Sequence, residues 1–317
     1  VNKTLVLVHG RGFKPPRAEL ETLWCDAIRA GLARDAAGSL PMFDRCRREF
    51  VYFGDESSAV LAAAGRHHDA SLDLADLKNT LAELRSLAKS RDFRRERYER
   101  LPGKTPIKEF LADVGALTLA ALRLEDRVIG HFLPELVDYW RGANTPMRSV
   151  DARLRETVGT ALLRGDDVAI VSHCIGSVFA YNALCALSNA TRSPTRSTSD
   201  IGKVALWLTL GAPLGDEGVK RRLDDARLEP VDRFPRNVVA WLNIAAEDDY
   251  VCHDDRIADD YREMLERRLI SRIDDARIYN LAVRYGRSNP HNALGYLIHP
   301  RVTRSLAGWL GVAPIEP

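Results

Sequence analysis

Apolar residues follow two rhythms along the chain. The first is short and continuous: TLVLV at 4–8, EFVYF at 49–53, VAIVS at 168–172, KVALWLTLGAP at 203–213, NVVAWLNIAA at 237–246 and ARIYNLAV at 276–283. Such runs, rich in β-branched and aromatic residues, predict strands buried on both faces. The second rhythm is helical. Leu20, Leu23, Trp24, Ile28 and Leu32 recur near a 3.6-residue period over 18–34, and residues 70–101, 107–141 and 151–166 carry similar patterns. Buried strands separated by helices predict an α/β protein with a mostly parallel sheet flanked by helices.

The spacing of these elements adds a further expectation. More than a hundred residues separate the second and third strands, too many for one crossover. Residues 1–317 are therefore expected to form a single domain, with 55–150 as a large helical insertion within it. Its apolar part, 107–141, is a candidate lid, whereas RDFRRERYER at 91–100 interleaves acids with arginines and predicts a solvated helical face. The Ser/Thr-rich stretch SNATRSPTRSTSD at 188–200 predicts a mobile loop.

Composition removes several function classes. A formal net charge of +2 on 317 residues gives no electrostatic argument for nucleic acid. No window approaches the roughly 18 consecutive apolar residues of a membrane span, so no stable membrane insertion is expected. The N-terminal VNKTLVLVHG enters a strand pattern without the charged, apolar and cleavage regions of a secretory signal. Cys25, Cys46, Cys174, Cys185 and Cys252 are odd in number, scattered, and form no C-x-x-C pair. They predict neither a disulfide framework nor a zinc site, and together these features predict a cytoplasmic protein.

The candidate chemistry lies where the third strand ends. VSHCIGS at 171–177 breaks an apolar run on Ser-His-Cys-Ile-Gly, and a second apolar run follows at helical spacing. A nucleophile on a tight strand-to-helix turn needs small neighbours, here Ser172 and Gly176, because the flanking chains pass close by. The helix end beyond it supplies N–H groups and a positive partial charge, which favour a thiolate and later an oxyanion.

VSHCIGS resembles the nucleophile elbow of the α/β-hydrolase superfamily, G-x-S-x-G. Ser172 stands for the first Gly, and Cys174 for the Ser, as in dienelactone-hydrolase-like enzymes and polyhydroxyalkanoate synthases. The resemblance spans most of the chain. LVLVHGRG looks like the oxyanion strand and loop, TLGAPLG like the strand after the elbow, NIAAEDDYV like the strand end carrying the acid, and NPHNALGYL like the histidine loop.

The resemblance implies Cys174 as nucleophile, His291 as base, and backbone N–H groups of Arg11 and Ile175 as the oxyanion hole. Aligning Ala246 with the Gly of a G-x-x-D acid motif puts Asp249 in the acid's place, with Asp248 as the alternative. His9 and His173 are expected to be structural, His299 to lie too late, and Cys185 and Cys252 to be filler. His253, Asp254 and Asp255 are consecutive and seldom-converging ligands, so no metal and no cofactor are expected. The implied activity is hydrolysis of an ester or thioester of a small acyl substrate. The alternatives are an acyltransferase on the same triad and a catalytically silent binding scaffold.

Overall fold

In the computed structural model, which describes residues 1–89, 93–103, 133–142, 145–190, 202–223, 229–252 and 256–312, the continuous apolar runs become the strands of one sheet. These are β1 (Lys3–Val8), β2 (Arg47–Val51), β3 (Asp167–His173), β4 (Val204–Leu210), β5 (Val238–Ala246) and β6 (Arg272–Ile278). They pair in the order β2-β1-β3-β4-β5-β6, all parallel. Leu5, Val6, Leu7 and Val8 of β1 are wholly buried, because both faces of the central strands are covered.

Alternate residues of each strand enter opposite layers. Val6, Val8 and Ile170 pack with α5 (Ser149–Leu163) and α6 (Ile175–Ala190). Leu5, Leu7, Ala169 and Val171 pack with α1 (Arg17–Asp35) and α8 (Pro300–Trp309). The chain leaves β1 towards β2 on one side and returns as β3 on the other. In open α/β sheets such a reversal marks the crevice where ligands bind, at the carboxyl ends of the strands that flank it, here β1 and β3.

Two strands differ from the sequence expectation. β6 covers Arg272–Ile278 rather than 276–283. It pairs with β5 alone, and in its sequence RIDDARI only Ile273 and Ile278 are buried, so it forms no apolar run. Val283–Arg284 instead starts a small antiparallel hairpin with Arg287–Ser288. The other edge strand, β2, ends at Val51, leaving Tyr52 and Phe53 beyond it.

The described part of the segment between β2 and β3 is mostly helical. It holds α2 (Gly54–Ala63), α3 (Ala70–Lys89), a short helix at Arg95–Tyr98, and α4 (Pro134–Trp140). Leu81 and Leu84 of α3 join the core beneath α1, so this part thickens the helical layer. The described part of the stretch at 91–100 has an exposed Arg95–Glu99 ion pair, yet its Tyr98 is buried. Residues 107–132 of the candidate lid at 107–141, residues 191–200 of the loop expected at 188–200, and His253, Asp254 and Asp255 lie outside the described residues; residues 188–190 are helical, closing the helix Ile175–Ala190. Among those described, no helix is long and apolar enough to cross a membrane.

Candidate active site

Cys174 sits between the last residue of β3 and the first of α6, with φ at 55°. A non-glycine residue held there is strained by about 1–3 kcal/mol, which its surroundings must enforce. They do so from both sides. The Cys174 N–H donates to the Leu210 carbonyl at 2.9 Å, and the Cys174 carbonyl accepts from Ser177 N–H at 3.0 Å. The loop after β1 crosses closely: a Cβ on Gly10 would lie 2.7 Å from that of Cys174, and one on Gly176 would lie 2.3 Å from the His9 carbonyl oxygen. Gly176→Ala is therefore expected to cost about 1–3 kcal/mol of stability, read as a lowered urea midpoint.

Ser172, where the elbow pattern has glycine, has a packing reason. Its hydroxyl accepts the buried indole N–H of Trp207 at 2.9 Å and shares a 2.9 Å hydrogen bond with Ser177. A glycine would leave that indole donor without its partner.

Across the crevice, the turn after β5 and the loop before α7 (Ala293–Leu297) bring Asp249 to His291. The His291 Nδ1 lies 3.0 and 2.9 Å from the two carboxylate oxygens. Its Nε2 is buried and makes no finished hydrogen bond, while the ring and the Cys174 thiol are close enough to shift each other's protonation. Such catalytic contacts often tighten only when substrate binds. A strained cysteine at a strand-to-helix turn thus faces a histidine backed by a carboxylate.

The chain has an α/β-hydrolase-like architecture with Cys174 at an elbow-like turn. No family model, curated protein or solved structure matches it. The α/β-hydrolase order of nucleophile, acid and histidine is kept along the chain. Asp248 points elsewhere, accepting the Tyr98 hydroxyl at 2.7 Å, so the structure brings Asp249 and not Asp248 to His291.

The electrostatics favour a charged pair. Burial alone would raise the Cys174 thiol, but His291, then Arg11, outweigh it and hold the thiol below its ordinary value. Burial would likewise discharge His291, but the Asp249 carboxylate and the Cys174 thiolate raise it to about 10. Burial opposes the charge on Asp249 as well, yet His291, the Tyr296 hydroxyl and the Val251 N–H keep it low. All three shifts favour the charged forms: thiolate, imidazolium and carboxylate.

The backbone N–H of Arg11 faces the Cys174 sulfur and helps stabilise the thiolate. Ile175 opens α6, so its N–H is among those that have no acceptor within the helix.

The other histidines have fixed jobs. His9 accepts the Phe53 N–H on Nε2 at 2.9 Å, so its Nδ1–H donates to the Gly10 carbonyl at 2.8 Å. Burial, then Lys14, keeps it neutral. His173 donates from Nε2 to the His291 carbonyl at 3.0 Å, and burial and the neighbouring His291 keep it neutral too. That hydrogen bond ties it to the loop carrying His291. His299 caps α8 by accepting the Arg301 N–H at 3.1 Å, with burial and Arg34 lowering it to about 3. Cys252 lies beside Asp249, but burial and that carboxylate hold its thiol protonated. Burial raises the Cys185 thiol as well.

Two supporting residues escaped the sequence reading. Tyr296 donates its hydroxyl to Asp249 at 2.7 Å while accepting the Ala246 N–H at 2.8 Å. Asn280 is wholly buried, and its side-chain amide spans the carbonyls of Pro290 and Asn292 at 2.8 and 2.9 Å, bracketing His291. The signal for Asn280 was a lone amide inside the apolar stretch ARIYNLAV. Tyr296 looked like an ordinary core aromatic.

Among the described residues, no cluster of three or more His, Cys, Asp or Glu is placed to hold a metal ion. An open groove of about 690 Å³ between α8 and the β5–β6 edge, lined by residues such as Arg272, Arg301 and Arg304, does not include Cys174. Its size does not place the chemistry; the convergent side chains above do.

Proposed function

We propose that this protein hydrolyses a carboxylic ester or thioester of a small acyl substrate through an acyl-cysteine intermediate. The observation that carries this reading is the row of Cys174, His291 and Asp249 at the carboxyl ends of β3 and β5.

The Cys174 thiolate attacks the acyl carbon, forming a carbon–sulfur bond and an oxyanion. The Arg11 and Ile175 N–H groups hold that oxyanion, where loss of one donor typically costs about 2.7–4 kcal/mol. As the tetrahedral adduct collapses, the carbon–oxygen or carbon–sulfur bond to the leaving group breaks, and imidazolium His291 gives that group its proton. Neutral His291 then takes a proton from water, whose oxygen attacks the thioester. The second adduct expels the Cys174 thiolate, and His291 is again protonated. Asp249 fixes the His291 tautomer and stabilises each imidazolium.

A series of p-nitrophenyl esters and acyl thioesters of graded chain length tests the reading. The expected result is a burst equal to the enzyme concentration, followed by steady turnover, in at least one series. Silence towards both series, together with no stoichiometric labelling of Cys174 by iodoacetamide, would leave a binding scaffold in place of an enzyme.

A further inference from the structure

Glu135 is an unusual residue in the insertion. It sits in the first turn of α4, where acidic residues favour the helix dipole, yet it is only 1% exposed. A carboxylate so buried needs partners. Its Oε1 accepts the Gly12 N–H at 2.7 Å and the Ser57 hydroxyl at 2.8 Å. Ser57, from α2, also reaches the Gly12 carbonyl at 3.2 Å. Burial lowers Lys14 to about 8, while the charges of Asp73 and then Glu135 oppose that fall, and its ammonium donates to the Arg11 carbonyl.

Those contacts act on one peptide unit. The Arg11 carbonyl and the Gly12 N–H belong to the same planar group, so Lys14 pins one end of it and Glu135 the other. Gly12 has φ at 91°, a region that only glycine enters readily and from which glycine also leaves readily. With the plane held, the Gly12 N–H is committed to Glu135, and the preceding N–H, that of Arg11, faces the Cys174 sulfur.

Building on the hydrolase reading above, we propose that Glu135 is a positioning residue for the oxyanion loop. By pinning the Arg11–Gly12 peptide from the insertion, it keeps the Arg11 N–H aimed at the point where the oxyanion forms. The insertion thereby becomes part of the catalytic apparatus and not only of the fold.

The test compares the full-length protein with Glu135→Ala and Glu135→Gln, using p-nitrophenyl acetate turnover, the rate of Cys174 alkylation by iodoacetamide, and the melting temperature. A misaimed donor affects the transition state, so Glu135→Ala should lower kcat by about 10²-fold with KM changed by less than about threefold. Alkylation develops no oxyanion and should change by less than about threefold. Glu135→Gln keeps an oxygen that can accept the Gly12 N–H and should recover kcat to within about fivefold of the wild type.

An unchanged kcat in Glu135→Ala overturns the proposal. So does an equal loss of kcat and alkylation, which would mean that the whole site had collapsed. Should Glu135→Ala fail to fold, Ser57→Ala removes the second contact on Oε1 and should show the same signature more weakly; no effect on kcat there overturns it as well. Wild-type silence towards esters and thioesters would instead overturn the hydrolase reading, and this inference with it.

Discussion

Cys174→Ala is expected to lower acyl turnover by about 10⁴-fold or more, the usual consequence of removing a nucleophile from a triad. Stoichiometric labelling by iodoacetamide should vanish in the same variant. The pH dependence of labelling in the wild type makes the test sharper. An unshifted thiol gains about tenfold in thiolate per pH unit below about 8.5. Cys174 is held below its ordinary value by His291, and His291 is raised to about 10. The thiolate–imidazolium pair therefore persists between those two values. Labelling should reach its plateau at a lower pH than an unshifted thiol would, and fall on acidification through the lowered thiol value. Turnover should also decline as the pH rises towards 10, because His291 must be protonated to release the leaving group. A labelling profile whose midpoint lies at or above the ordinary thiol value of about 8.5 would mean that a cysteine with an ordinary or raised thiol is being modified.

Asp249→Asn is expected to lower turnover by about 10⁴-fold, because a neutral amide neither fixes the tautomer of His291 nor stabilises its charge. Asp248→Asn, one residue away, should stay within about threefold of the wild type, since its side chain faces Tyr98. The pair separates a local electrostatic effect from general damage to the turn. The alkaline limb of the Asp249→Asn pH profile should also move to lower pH, because the carboxylate is the foremost influence raising His291. Equal losses in the two variants, measured as kcat/KM on the same ester, would remove Asp249 from its assigned role.

The α/β fold, the parallel sheet, the strand-to-helix turn at Cys174 and the location of the histidine loop were legible along the chain. Each depends on neighbours within a few residues. A strand covered on both faces must be apolar throughout, and a strained turn between close chains admits only small flanking residues. The edge strand β6 is not legible in this way, since it lies at the sheet edge, buries only Ile273 and Ile278, and so lacks the continuous apolar run of the central strands.

What only the tertiary structure decided concerns partners far apart in sequence. Asp249 and His291 are 42 positions apart, and the turn conformation sends Asp248 to Tyr98 instead. Tyr296 and Asn280 support the acid and the histidine loop across folded distances, as Glu135 supports Gly12 from 123 positions away. The tautomers of His9 and His173 depend on carbonyl and N–H groups that those residues meet only after folding. Local pattern determines which backbone shape a segment can take, because sterics and burial act at short range. Which polar group ends up facing which is determined by the packing of the whole chain, because a buried donor or acceptor must find its partner wherever the fold places one.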